Sequence, residues 1–204
     1  VNALQWAIGL ETFLLTEDPD KIFLTTDHPN GAPFTSYPHL IKLLMDKTFR
    51  DNLLDQMSVD ISKHTILKDI KREYTLSEIA TMTRSAPAKI LGLKNKGSLS
   101  KGADADVTVY DSSINDIEEM FANPTHVIKD GSVVVKNGEI KKYTWGKTQV
   151  VKPEYDPAIE KKLKKYFDKY HTIALPNYTI SNDEMSEVIG SDINEVKCVR
   201  RRIS

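Results

Sequence analysis

The sequence predicts an α/β protein made of part of a parallel α/β barrel, a small antiparallel β domain and a helical tail. Three observations support this fold class. An apolar run at residues 22–26 ends at Asp27, between two stretches with helical periodicity. After Gly97 the hydrophobic period changes from helical to two, and after about Val151 it becomes helical again. The predicted domains are a barrel part (1–96), a portion of a small β-sandwich (97–150) and a helical extension (151–204).

The composition is typical of an ordinary globular protein. Of the 204 residues, 28% are charged and 40% are hydrophobic, and the formal net charge is -1. This charge gives no general attraction to nucleic acid or to an anionic membrane, so neither is an expected partner. No apolar run approaches the roughly 18 residues of a membrane span, and no signal core is visible, so we expect a cytoplasmic protein. The single cysteine, Cys198, excludes an internal disulfide.

The first predicted element is a helix. Ala3, Ala7, Leu10 and Leu14 recur at helical spacing, and the polar turn at 17–20 ends it. A helix, a turn and a buried strand make half of a βαβ unit, and the partner strand is not in the sequence. We therefore expect this chain to be a piece of a longer protein.

More helices follow the strand. Apolar residues at helical spacing predict the next one, with Pro38 in its first turn. Thr75 and Glu78 form a capping-box pattern that predicts a short helix to about Arg84. A further brief helix is expected to begin at 85–87 and to end at Gly92.

The segment after Gly97 predicts an antiparallel meander. Residues 106–110 alternate between polar and apolar, and Asp130-Gly131 and Asn137-Gly138 are two-residue hairpin signals between apolar runs. So few strands cannot form an independent sandwich, so the meander is expected to complete a sheet begun elsewhere.

The tail begins with a helix that Asp156-Pro157 opens. One face of this helix is apolar and the other carries lysines. A basic face is usually solvated, and the alternative is contact with a partner subunit. The apolar face contains Ile159, Leu163, Tyr166, Phe167 and Tyr170.

Asp27 is the first candidate for chemistry. In a parallel barrel the strand ends converge on the mouth, where loops build the active site, so an acid at the end of a strand is well placed to act. An Asp after a strand also often caps the next turn through its own backbone, so a structural role stays open.

The turn after Asp27 supplies the candidate substrate-loop residues. His28 is expected to orient the Asp27 loop or to touch substrate, whereas Asn30, Gly31 and Phe34 line the substrate entrance or form a plain loop. No two histidines have the His-x-His or His-x-x-x-His spacing that suits one metal ion. The histidines expected to be structural are His39, His64, His126 and His171.

Three motifs occur in one order along the chain. They are the strand that ends in Asp27, the segment 86–93 (APAKILGL) and the segment 97–111 (GSLSKGADADVTVYD). This order resembles the C-terminal portion of the metal-dependent amidohydrolase superfamily. The resemblance implies a chain that leaves a (β/α)8 barrel for a small β domain.

Two further segments narrow the resemblance. Residues 2–11 (NALQWAIGLE) and 23–34 (FLTTDHPNGAPF), together with the lysine-rich helix, are similar to the family of amidohydrolase-like subunits of formylmethanofuran dehydrogenase. The resemblance covers nearly the whole chain but only the C-terminal part of the family protein. It implies an archaeal protein that condenses formate with methanofuran, or hydrolyses formylmethanofuran, during CO2 reduction in methanogenesis. It also implies partner subunits that carry a tungsten or molybdenum pterin and iron–sulfur clusters.

The resemblance implies a binuclear zinc site as well. The family ligands are a His-x-His pair, a carboxylated lysine, two further histidines and an Asp on the last strand. Only the Asp has a counterpart here, at Asp27, which would be metal ligand and proton shuttle together. Because the other ligands would lie outside this chain, we expect the isolated chain to be inactive.

Two other functions stay open. Another metal-dependent amidohydrolase, such as a cyclic amidase or an N-acyl amino acid deacylase, would share the superfamily motifs. A non-catalytic assembly module that has kept the scaffold and lost the metal site would fit the histidine inventory. The lysine-faced tail favours the dehydrogenase subunit, because a self-contained hydrolase has less need of such an extension.

Overall fold

The computed structural model describes residues 2–57, 59–190 and 193–198. The chain divides into two compact units, Val1–Tyr143 and Thr144–Ser204. The helices of the first unit are α1 (Asn2–Leu15), α2 (Tyr37–Met45), α3 (Lys47–Asp55), α4 (Val59–Ser62), α5 (Leu76–Ala80), α6 (Ala86–Ile90) and α7 (Ile117–Ala122). Its strands are β1 (Val107–Val109), β2 (His126–Lys129), β3 (Ser132–Lys136) and β4 (Glu139–Ile140).

The core of the first unit lies among α1, α2, α3 and α5. The predicted apolar face of α1 is confirmed, because Ala7, Leu10 and Leu14 are buried. Side chains three and four residues apart share one side of a helix, so this face packs as a single stripe. The buried core residues beyond α1 are Leu40, Ile41, Leu43, Leu44, Leu54, Leu67, Tyr74, Ile79 and Met82.

A buried arginine closes the end of α2. Arg50 in α3 is 1% exposed, and its guanidinium donates to the carbonyl oxygens of Leu43 at 2.7 Å and Arg72 at 3.1 Å. The last carbonyl groups of a helix have no partner within the helix, so a side-chain donor is needed where water is excluded. Burial lowers the pKa of Arg50 from its usual value, although the nearby carboxylates of Asp51 and Glu73 oppose that shift.

Helix α5 begins with the predicted capping box. The Thr75 hydroxyl accepts from the Glu78 N–H, and the Glu78 carboxylate accepts from the Thr75 N–H. The brief helix expected to begin at 85–87 is confirmed as α6, and the chain stays helical from α5 through a π turn, Thr81–Ser85, into it. Since Pro87 has no N–H to donate, the ladder must lose a bond near this point, and the wider turn accommodates the loss.

The predicted antiparallel meander is confirmed. Strands β1 to β4 form one sheet in chain order, and every neighbouring pair is antiparallel. Asp130 and Gly131 have φ of 47° and 75°, which is the left-handed backbone that a two-residue hairpin requires. Within the described residues this region is a single sheet, and its place in a larger β-sandwich stays a prediction.

The second unit contains two strands besides the helices expected of the helical extension. Its elements are β5 (Thr148–Pro153), α8 (Ile159–Tyr170), α9 (Asn182–Ile189) and β6 (Ile193–Cys198). The predicted tail helix is α8, but β5 and β6 also pair in parallel, with Thr148 opposite Ile193 and Pro153 opposite Cys198. The side chain of Cys198 lies outside the described ones. None of the helices in the described ranges combines the length and apolar character that crossing a membrane requires.

Candidate active site

The segment that leads to Asp27 is not the buried strand that the sequence predicts. No strand is assigned to residues 22–26 in the described part of the chain, although Ile22 has extended angles of φ -135° and ψ 147°. Burial alternates along the segment, with Phe23 44% exposed and Thr26 only 3% exposed. A strand needs a neighbour to donate and accept hydrogen bonds, and the described residues provide none here.

A tight turn follows this segment and fixes the backbone at Asp27. The Gly31 N–H donates to the Asp27 carbonyl oxygen at 3.0 Å, and the Ala32 N–H donates to the Thr26 carbonyl oxygen at 2.8 Å. Asp27 has φ of 48°, a left-handed conformation that Asp tolerates better than most residues. A Cβ on Gly31 would lie 2.5 Å from the Thr26 oxygen, so only glycine fits this turn without a shift.

The Asp27 carboxylate is exposed and has no partner among the described residues. The side chain is exposed, and its carboxylate makes no hydrogen bond or ion pair with any described residue. Only the Asp27 N–H has a side-chain partner, the Thr25 hydroxyl oxygen at 3.3 Å. A carboxylate held by backbone contacts alone can bind a cation or exchange a proton without first breaking an ion pair.

The predicted substrate-loop residues lie together on this turn. The His28 ring stacks on the Phe34 ring, with centroids 4.1 Å apart and planes 20° from parallel. Phe34 is 64% exposed, and Asn30 is also exposed, with no hydrogen bond from its side chain to the described residues. The turn therefore presents a carboxylate, an imidazole–phenyl stack and an amide on one short segment.

The other histidines have structural surroundings of their own. His39 lies 3.1 Å from a Glu118 oxygen and helps to hold α2 against α7. His126 is in β2, and the His171 ring stacks on Phe167 at 4.5 Å. Their placement accords with the structural roles expected for them.

An ion-pair cluster centred on Lys96 is not among the features that the sequence predicts. The Lys96 ammonium lies 2.8 Å from Asp104 and 2.6 Å from Asp106, and the Lys129 ammonium lies 2.7 Å from Asp106. The Asp130 N–H also donates to Asp106 at 2.9 Å. The cluster ties the segment before β1 to the turn between β2 and β3. Its signal in the sequence is the GADAD motif, whose acids can now be assigned to this contact.

Asp104, Asp106 and Asp130 are the one group of three carboxylates that lie close enough to share a metal ion in the described part of the chain. Two ammonium groups already fill the space between them. Burial raises the pKa of Asp106, but hydrogen bonds from Lys129, Lys96 and the Asp130 backbone outweigh it and hold that pKa far below its usual range. Burial likewise lowers the pKa of Lys96, yet the bonds to Asp104 and Asp106 raise it overall. This is a structural ion-pair cluster.

Comparison with known families identifies the family to which this chain belongs. Residues 1–135 match the amidohydrolase family. The chain belongs to the amidohydrolase family. This membership confirms the superfamily resemblance, and the mixture of helices and small sheets agrees with it.

Two curated relatives match this chain over nearly its whole length. One of the subunits of the formyltransferase/hydrolase complex Fhc from Methylorubrum extorquens is 40% identical over 198 residues, which is 97% of this chain and 36% of the relative. Protein FwdA from Methanocaldococcus jannaschii is 39% identical over 210 residues, which is 95% of this chain and 37% of the relative. The chain thus spans little more than a third of the length of the curated relatives it matches.

A solved structure gives the same result in three dimensions. The X-ray crystal structure of the FhcABCD complex from Methylorubrum extorquens, with methylofuran, matches with a TM-score of 0.81 at 39% identity. The match covers 96% of this chain and 35% of that chain. The predicted resemblance to the amidohydrolase-like subunit of this kind of complex is confirmed.

Proposed function

We propose that the complete subunit containing this chain makes or breaks the C–N bond of a formylated furan amine such as formylmethanofuran. The observation that carries this proposal is the exposed Asp27 carboxylate, which no described residue engages. Relatives at 40% and 39% identity include a member of a formyltransferase/hydrolase complex, which supports this chemistry.

The 22–26 segment forms the last strand of a (β/α)8 barrel in the complete subunit, and its neighbouring strands come from outside this chain. The alternating burial between Phe23 and Thr26 supports this assignment. So does an apolar groove of about 230 Å³ beside α1, which Leu24 and Thr25 help to line. The Thr26 hydroxyl is buried without a partner among the described residues, as expected if a neighbouring strand is needed to complete its surroundings.

Asp27 fits one position of a binuclear zinc site. Carboxylate oxygens are accepted zinc ligands, and this carboxylate is unpaired, whereas no group of three metal ligands among the described residues includes it. The remaining ligands come from the part of the subunit outside this chain. When bound, zinc would polarise the formyl oxygen and lower the pKa of water.

Asp27 moves the proton in this reaction. In hydrolysis, its carboxylate accepts a proton from the attacking water as the new C–O bond forms. It then returns that proton to the amine nitrogen as the C–N bond breaks, which yields formate and the free amine. The reverse sequence condenses formate with the amine, so one geometry serves both directions.

The residues after Asp27 bind the furan substrate near the barrel mouth. The His28–Phe34 stack supplies a flat aromatic surface, and Asn30 supplies both a donor and an acceptor. Gly31 keeps the turn narrow because it has no side chain. Other subunits of the complex, bearing a tungsten or molybdenum pterin and iron–sulfur clusters, supply or consume the formate.

The test replaces Asp27 with Asn in the complete subunit, assembled with its partners. We expect hydrolysis of formylmethanofuran to fall by a factor of about 10² to 10⁴, the usual contribution of a general acid–base group, and one equivalent of bound metal to be lost. The control is Asp69→Asn, which removes an exposed carboxylate elsewhere in the same unit. Full turnover by Asp27→Asn would refute the role of this residue.

Two further measurements separate the competing functions. A cyclic amide or an N-acyl amino acid turned over faster than formylmethanofuran would assign the subunit to a different amidohydrolase activity. The 204-residue chain alone should not hydrolyse formyl amides even with added zinc, because it contributes one ligand of the site. Appreciable turnover by that chain would contradict the ligand assignment.

A further inference from the structure

The second unit carries an uncovered apolar stripe on α8. The stripe consists of Ile159, Leu163, Tyr166 and Tyr170, which are 41%, 39%, 54% and 61% exposed. Their spacing of four, three and four residues places them on one side of the helix. This α8 stripe is therefore a continuous surface rather than scattered exposed residues.

The unit packs its own residues against a different part of α8. Phe167 is half-buried. Its ring centroid lies 5.3 Å from that of Tyr178 and 4.5 Å from that of His171. Phe167 lies at the edge of the α8 stripe, so the side of the helix that its own unit covers is adjacent to the stripe and distinct from it. Within the unit, the Tyr166 ring also lies 5.6 Å from the His171 ring, but every member of the stripe keeps at least 39% of its surface exposed.

The second unit also lacks a core of its own. None of its described side chains is fully buried. Ordering a chain segment costs conformational entropy that apolar burial must offset. A unit with regular helices, a strand pair and no buried side chain is therefore expected to bury its exposed apolar surface against protein outside the unit.

Positive charge borders the stripe. Lys162 and Lys169 flank it on one side, and neither forms an ion pair with a described carboxylate, although the Lys169 ammonium lies 4.9 Å above the Tyr170 ring. Lys164, by contrast, pairs with Asp168 at 3.2 Å on another side of the helix. An apolar stripe with an unpaired basic border is complementary to an apolar groove with an acidic rim.

The comparisons place this unit outside the region matched by the wider family but inside the match to a relative from a complex. The amidohydrolase-family match ends at residue 135, before the second unit begins. The match to the Fhc relative nevertheless covers 97% of the chain, so it includes this unit. The second unit is thus shared with a relative that belongs to a multisubunit complex, and it lies outside the region common to the wider family.

We propose that the α8 stripe docks into an apolar, acid-rimmed groove on a different subunit of the same complex. The identity of that partner rests on the proposed function, since the formate-handling subunits are those that such a complex contains. Tyr166 and Tyr170 act as the anchors, because aromatic side chains dominate the energetics of interfaces. Lys162 and Lys169 pair with acids at the rim of the groove.

The test uses the complete subunit co-expressed with the other subunits of its complex and purified through a tag on one of them. Leu163→Asp and, separately, Tyr166→Ala should weaken association by at least about 30-fold, as loss of an interface hot spot does. Lys162→Glu should weaken association and reduce its sensitivity to salt. Lys161→Glu is the matched control, because it makes the same charge change on the opposite side of the helix and should leave association unchanged.

Each alternative has its own outcome. Normal assembly of Leu163→Asp and Tyr166→Ala would overturn the proposal. Loss of a homodimer in light scattering, with assembly intact, would assign the stripe to a second copy of the subunit. A fall in the melting temperature of the free subunit would show that its own chain covers the stripe, which also contradicts the proposal.

The two proposals fail independently. If the complete wild-type subunit hydrolyses formylmethanofuran and the stripe variants assemble normally, the docking site is wrong and the proposed function stands. If the stripe variants lose assembly while no formyl amide is hydrolysed, the docking site stands and the proposed chemistry is wrong. A wild-type subunit that does not associate with the co-expressed subunits would contradict the docking proposal directly.

Discussion

The Gly31 N–H donates to the Asp27 carbonyl oxygen at 3.0 Å, so the residue four positions after the candidate catalytic acid closes the turn that presents it. The same glycine is packed against the backbone, since a Cβ would lie 2.5 Å from the Thr26 oxygen. The orientation of the Asp27 carboxylate therefore depends on a neighbour that has no side chain.

Replacing Gly31 with Ala should distort this turn. We expect the free energy of unfolding of the complete subunit to fall by about 1–3 kcal/mol, as overpacking usually costs, with reduced turnover. Denaturant titration and a hydrolysis assay measure the two effects. The matched control is Gly9→Ala in α1, where an added Cβ meets nothing within 4 Å, and where Ala stabilises a helix by about 1 kcal/mol relative to Gly. Equal stability of the two variants would contradict the steric argument.

The Lys96 cluster predicts a dependence of stability on pH. The pKa of Asp106 is lower in the folded protein than in the unfolded chain, so its contribution is complete above the unfolded value, about 4, and is lost as pH falls further. Asp106→Asn should lower the free energy of unfolding by about 1–3 kcal/mol at neutral pH. The variant should also show a shallower decline below about pH 4 than wild type.

Lys96, the basic partner of Asp106, should give the opposite dependence of stability on pH. The pKa of Lys96 is raised on folding, so its contribution is present at neutral pH and is lost as pH rises through the folded value. Lys96→Met should therefore be destabilising at neutral pH. Asp69→Asn serves as the control, and a Lys96→Met protein as stable as this control would show that the cluster contributes little.

Arg50 should be intolerant of substitution. Arg50→Met leaves the Leu43 and Arg72 carbonyl oxygens without their donor, and we expect a loss of about 2 kcal/mol in the free energy of unfolding. Arg84→Met is the comparison, because Arg84 is exposed and such changes usually stay within about 0.5 kcal/mol. Similar melting temperatures for the two variants would argue against the capping role.

The capping box at the start of α5 should account for part of the stability of that helix. Thr75→Ala removes the hydroxyl that accepts from the Glu78 N–H, at an expected cost of about 1 kcal/mol. Ser77→Ala, an exposed change in the same helix, should be neutral or slightly stabilising. Hydrogen exchange of the first α5 amides should report the difference locally.

Features set by short-range chemistry were the ones the sequence predicted well. The capping box at Thr75 and the hairpin turn at Asp130-Gly131 each depend on residues within a few positions, and both are present. The stripe of α1 follows from helical spacing alone. The substrate-loop assignment stays a prediction, although the turn brings its contiguous residues together and stacks His28 on Phe34.

Features set by distant partners were missed. The strand predicted at 22–26 lacks a neighbour in the described residues, and hydrophobicity alone cannot supply one. The parallel pair of β5 and β6 joins segments separated by two helices, so no local pattern reveals it. The ion-pair cluster around Lys96 likewise joins the acids that precede β1 to Lys129 in β2. The arginine cluster at 200–202 lies outside the described residues.

The register of β5 on β6 gives the second unit a modular character. Thr148 faces Ile193 and Pro153 faces Cys198, so the excursion through α8 and α9 departs from and rejoins the same short ladder. Such a cassette can be lengthened, shortened or exchanged between homologues while the ladder holds its two ends in place. Changes confined to the α8–α9 excursion can therefore leave the pairing of β5 with β6 intact.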